Sequence, residues 1–88
     1  MELLHARCSG LDVHKDSVMA CVRIQQGPEA AHHVRIFGTT TQALMELSDW
    51  LGEHQVTTAA MEATGVYWRP VWHILEGTFE LVLANAAH

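Results

Sequence analysis

Two carboxylates stand out among the side chains that could do chemistry. Asp12 follows the apolar pair Gly10-Leu11, and Glu62 follows Ala59-Ala60-Met61. A charge at the lip of an apolar strand is costly unless it is solvated, paired or bound to a metal ion. If the strands that end in Asp12 and Glu62 lie side by side, the two carboxylates face each other at one sheet edge. Two carboxylates so placed repel, and a divalent cation relieves the repulsion. Hard oxygen ligands of this kind select Mg²⁺ or Mn²⁺ over Zn²⁺. The plainer reading is two strand-end acids in water, and spacing alone favours it.

The elements that must position this pair can be read from periodicity. Arg7–Val13 reads as a strand ending at Asp12, and His14-Lys15-Asp16 suits a hairpin turn. Ser17–Gln25 alternates Val18, Ala20, Val22 and Ile24 with Met19, Cys21 and Arg23, the period of a strand. Gln26-Gly27-Pro28-Glu29 is a turn, and Ala31–Phe37 is a third strand. Thr39-Thr40-Thr41 offers N-cap hydroxyls to an amphipathic helix over about Thr41–His54, carried by Ala43, Leu44, Leu47, Trp50 and Leu51. Val56–Met61 returns to strand and delivers Glu62 at its end. After the Ala63-Thr64-Gly65 loop, a second helix runs from Tyr67 or Trp68 to Glu76. Pro70 is tolerated in its first turn, and Gly77 suits its stop. Phe79–Ala84 is a final buried strand. The order β-β-β-α-β-α-β implies an antiparallel meander extended by two helical crossovers, an α/β mixed sheet in a single domain over residues 1–88.

Composition bounds the function. The chain has 88 residues, 49% of them hydrophobic and 17% charged, which excludes a disordered chain and a two-domain one. Net charge is −5, and the cations Arg7, Lys15, Arg23, Arg35 and Arg69 are scattered. That argues against tight, independent binding of nucleic acid. Cys8 and Cys21 form no CxxC pair and read as reduced thiols of a cytoplasmic protein. No segment has the apolar length of a membrane span, and the N-terminus lacks the pattern of a signal peptide.

The smaller signals divide between chemistry and structure. Asp16 could be a spare ligand but more simply shapes the turn. Lys15 could touch a phosphate or be merely solvated. Tyr67, Trp68 and Trp72 could stack on bases. Positions 68 and 72 are also one helical turn apart, which suits packing, and Tyr67 is the one expected to be exposed. Thr64-Gly65 could let backbone approach a substrate or serve only the turn. The histidines His5, His14, His32, His33, His54, His73 and His88 show no zinc-like spacing and read as mostly solvent-facing.

With these residues in view the sequence becomes familiar. Gly-Leu-Asp12-Val-His-Lys-Asp16, followed by Ala-Met-Glu62-Ala-Thr-Gly-Val-Tyr-Trp68-Arg-Pro-Val-Trp72, resembles the N-terminal domain of insertion-sequence transposases of the Piv/MooV DNA-invertase type. Phe37-Gly-Thr-Thr-Thr41 and the closing Leu-Val-Leu-Ala-Asn85-Ala fit as well. The resemblance implies a DEDD RuvC-like (RNase H-like) domain, with the same β-β-β-α-β-α-β order. It implies that Asp12 and Glu62 are the first and second carboxylates of a catalytic set that binds two Mg²⁺ (or Mn²⁺) ions for phosphodiester cleavage and strand transfer in DNA transposition. Beside that set, Lys15, Thr64 and Tyr67 are the candidate nucleic-acid contacts among the residues read above. It implies DNA element ends and target DNA as partners, in some members a structured guide RNA, and a homo-oligomer. The family also has two later carboxylates and a serine-bearing C-terminal domain. Nothing acidic follows Glu80 here, so the expectation is a C-terminally truncated domain, inactive alone. Two alternatives remain. One is a non-catalytic remnant that associates with a full-length transposase. The other is an actin-like ATPase or sugar kinase, whose first-strand aspartate is normally followed by Gly and Ser/Thr rather than by Val13-His14-Lys15.

Overall fold

The computed structural model describes residues 6–84. Seven elements follow one another: β1 (Arg7–Val13), β2 (Val18–Gln26), β3 (Glu29–Phe37), α1 (Thr41–Glu53), β4 (Thr58–Ala63), α2 (Trp68–Leu75) and β5 (Glu80–Ala84). This is the order expected from periodicity. The strands form one sheet in the order β3-β2-β1-β4-β5. The meander β1-β2-β3 is antiparallel, while β4 runs parallel to β1, and β5 parallel to β4. The result is the mixed α/β sheet of an RNase H-like domain.

Strand alternation decides which side chains enter the core. Leu11 and Val13 of β1, Val18, Ala20, Val22 and Ile24 of β2, and Ala59 and Met61 of β4 are buried. They meet Leu44, Leu47, Trp50 and Leu51 of α1, and Val71 and Leu75 of α2. Both helices therefore lie on one face. The alternate residues point to the other face, where Met19, Val34, Ile36 and Val82 are exposed.

Local chemistry sets the boundaries. The Thr40 hydroxyl accepts from the Ala43 N–H at 3.1 Å and caps α1. At the other end Arg7 Nη1 donates to the His54 carbonyl at 2.9 Å, and Gln55 takes a left-handed φ of 58°. The chain leaves α1 through that residue. Val56 is still tied to the helix by its N–H to the Leu51 carbonyl, 3.1 Å, and is buried. Hence β4 starts at Thr58, two residues later than periodicity suggests, and Glu62 lies inside the strand rather than just beyond it. The second hairpin is tighter than expected. Gln26 pairs with Glu29, so Gly27-Pro28 is a two-residue loop with Gly27 at φ 64°, and β3 begins at Glu29. Gly77 does not take the left-handed conformation; the Leu75 carbonyl instead accepts from the Thr78 and Phe79 N–H groups at 3.1 and 3.0 Å.

Among the described residues, no helix is long and apolar enough to cross a membrane.

Candidate functional site: a carboxylate pair on the inner strands

Asp12 and Glu62 are direct partners in the parallel β1–β4 register. Each is the penultimate residue of its strand, and both are exposed on the face opposite the helices. Strands in a sheet lie about 4.8 Å apart, so partner side chains on one face come within the reach of a single cation. The pair does not sit on an outer strand. It lies where the two strands finish, flanked by Met19 of β2 and Ala84 of β5.

Small residues open space beside the carboxylates. A hollow of about 380 Å³ is lined by Gly10, Cys21, Ala60 and Ala84 together with Met19, Asp12 and Glu62. Larger side chains at these positions would close it. Two like charges in adjacent register destabilise the sheet they sit on, and a cation between them reverses that. The oxygen donors fit a hard divalent ion better than a soft one. Glu62 makes no ion pair among the described residues, which leaves its carboxylate available. Cys8 and Cys21 are free thiols.

Asp12 has one neighbour that spacing did not suggest. His14 Nε2 lies 3.3 Å from Asp12 Oδ2, both side chains being more than half exposed. The turn explains it: the His14 N–H donates to the Ser17 carbonyl at 2.8 Å, folding the imidazole back along β1. An Asp-x-His triplet at a strand end is the signal that could have found it.

The remaining candidates fall into place as follows. Lys15 and Asp16 are exposed in the β1–β2 turn, where the Lys15 carbonyl accepts from the Thr39 hydroxyl at 3.1 Å. Thr64 is exposed in the turn after β4; Gly65 adopts φ 58°, and Val66 and Tyr67 are exposed beside it. Trp68 and Trp72 meet edge to face at 5.8 Å and pack against the core, so their role is structural. The expectation that the histidines face solvent holds for His32, His33 and His73, which are exposed. His54 departs from it, being half-buried with its ring 4.9 Å from Trp50 and 4.7 Å from His33. His5, His88 and Asn85 lie outside the described residues. Among the described residues no group of three or more His, Cys, Asp or Glu is arranged to hold a metal ion.

Comparison with solved structures supports the fold. The chain is similar to a Ppx/GppA family member from Aquifex aeolicus, with TM-score 0.62 and 12% identity over 91% of this chain and 35% of that one. It is also similar to the type II variant of the Ppx/GppA phosphatase from Aquifex aeolicus, with TM-score 0.59 and 16% identity over 91% of this chain and 36% of that one. The chain thus spans little more than a third of these structures, and at such identities the likeness is one of fold. No curated protein matches. A family model described as a transposase, the DEDD type of IS110 elements, matches residues 9–88, a span holding both Asp12 and Glu62. The chain belongs to the IS110-type DEDD transposase family.

Proposed function

We propose that Asp12 and Glu62 are the first two ligands of a metal site for phosphodiester chemistry in DNA transposition, in a chain that forms the N-terminal part of a transposase of the Piv/MooV kind. The single observation that carries this is their pairing in adjacent register at the ends of β1 and β4. Mg²⁺ or Mn²⁺ held there would activate the attacking oxygen and neutralise charge on the leaving one.

The chain's own groups then have definite tasks. Asp12 and Glu62 supply oxygen donors and fix where a phosphate must sit. His14, 3.3 Å from Asp12 Oδ2, orients that carboxylate as a positioning residue. Lys15, Thr64 and Tyr67 lie on the two turns that follow these strands and contact the nucleic acid: Lys15 by charge, Thr64 by its hydroxyl, Tyr67 by stacking on a base. DNA is the partner, with a structured RNA as a second nucleic-acid ligand and the cytoplasm as the compartment. Two carboxylates make an open half-site, so the 88 residues bind a divalent ion weakly and do not cut DNA alone.

A second reading concerns assembly. Met19, Val34, Ile36 and Val82 expose apolar surface on the face that carries the carboxylates. Contiguous surface of this kind favours association, here as a homo-oligomer or with a full-length transposase.

The test is calorimetric titration of the chain with Mn²⁺, beside an assay for nicking of supercoiled plasmid. We expect weak binding that the Asp12→Ala, Glu62→Ala double variant loses, and no nicking by either protein. Unchanged Mn²⁺ binding in the double variant would remove the metal reading.

A further inference from the structure

We propose a second metal site, made of His33 and His54, that takes a borderline transition-metal ion such as Zn²⁺. The two imidazoles come from different elements, His33 from β3 and His54 from the C-cap of α1, and their ring centres lie 4.7 Å apart. With Zn–N bonds of ~2.0–2.1 Å, two imidazoles on one ion, between square and tetrahedral angles, have ring centres about 4.5–5.1 Å apart. The observed separation falls within that range.

A second observation bears on the donor atom. His54 Nδ1 lies 3.0 Å from the Trp50 carbonyl oxygen. A carbonyl only accepts, so Nδ1 carries the proton, and the lone pair of His54 is on Nε2. A ligating histidine is characteristically held this way, its other nitrogen donating to a backbone carbonyl, which sets tautomer and ring orientation together. The Trp50 indole packs edge-on against the same ring at 4.9 Å and holds it in place. His33 is exposed, so water can fill the remaining coordination positions. Of the neighbouring cations, Arg35 stacks over the Phe37 ring, and Arg7 Nη1 donates to the backbone carbonyl of His54, not to its ring.

This site is separate from the carboxylate pair in place and in chemistry. His33 pairs with Val22, well back from Met19 and Asp12 along the sheet, and its ring meets α1 on the helix-covered face. Two imidazole nitrogens prefer Zn²⁺, Ni²⁺ or Cu²⁺ to Mg²⁺ or Mn²⁺. An ion bound there clips the outer strand β3 to the end of α1. Its binding weakens as pH falls, because an imidazole must be unprotonated to ligate.

Zn²⁺ titration of the 88-residue chain, by calorimetry and by thermal midpoint, tests this. We expect one site per chain and a raised midpoint in the wild type, in His32→Ala and in the Asp12→Ala, Glu62→Ala double variant. His33→Ala should bind about tenfold or more weakly. Independently of any variant, Zn²⁺ should shift the imidazole resonances of His33 and His54 in the wild type while those of His14, His32 and His73 stay in place. Wild-type affinity in His33→Ala, loss of Zn²⁺ binding in the carboxylate variant, or shifts confined to other histidines would each overturn the proposal.

Discussion

Asp12 on β1 and Glu62 on β4 stand opposite each other in a parallel pair, on the sheet face away from both helices. Each charge is exposed, so neither carries a heavy desolvation cost. What remains is mutual repulsion, which a folded domain retains at little cost and a divalent ion turns into attraction.

Removing one charge should therefore separate metal effects from folding effects. In divalent-free buffer, we expect Asp12→Asn to change the unfolding free energy by no more than about 0.5 kcal/mol, because an exposed carboxylate beside a like charge contributes little. Adding millimolar Mn²⁺ should raise the thermal midpoint of the wild type and leave the variant unmoved. Thermal denaturation with and without Mn²⁺ measures both.

The core is small, and single methylenes should be felt in it. Leu47 on α1 is fully buried within the cluster that joins α1 and α2 to the sheet. Leu47→Ala should cost about 2–5 kcal/mol, a large share of the stability a chain of this size can hold. Urea unfolding followed by circular dichroism would show a lower midpoint or an already unfolded variant.

Two local devices have defined magnitudes. Thr40→Ala removes the acceptor for the Ala43 N–H and should cost about 1 kcal/mol. Gly65 holds φ 58° in the turn that follows Glu62, so Gly65→Ala should cost about 1–2 kcal/mol from backbone strain alone. Because an added Cβ at Gly65 meets nothing within 4 Å, no steric term should add to it. Thermal midpoints of the two variants test both figures.

The proposed association through the open face has its own signature. Ile36 is 62% exposed on the outer strand β3. Ile36→Lys should leave the unfolding midpoint nearly unchanged and shift sedimentation toward the monomer. An oligomer that persists unaltered would direct attention to another surface.

Much of this was legible in the chain, and the exceptions have physical causes. Alternation in β2 and the Leu44, Leu47, Leu51 spacing in α1 are direct imprints of one-sided burial, so element order followed from them. Register was legible at one place only: the apolar run before Glu62 matches the run before Asp12, and parallel pairing of the two sets the acids together. The start of β4 is not legible, because Val56 has the character of a strand residue and yet is held at the end of α1 by its bond to the Leu51 carbonyl. The Asp-x-His spacing hints at the His14–Asp12 contact, but only the hairpin turn brings the imidazole back to the carboxylate. The His33–His54 contact has no local signal at all: it arises from where β3 lies under the end of α1, which only the folded sheet determines.

The most direct measurement is iron-mediated cleavage of the protein backbone. Fe²⁺ substitutes for Mg²⁺ or Mn²⁺ at oxygen sites, and with ascorbate and peroxide it cuts the chain next to where it is bound. We expect cuts near Asp12 at the end of β1 and near Glu62 at the end of β4, suppressed by excess Mg²⁺ and absent from the Asp12→Asn, Glu62→Gln variant. Absence of cutting at these two strand ends, or cuts there that persist in that variant, would contradict a metal site built on these two carboxylates.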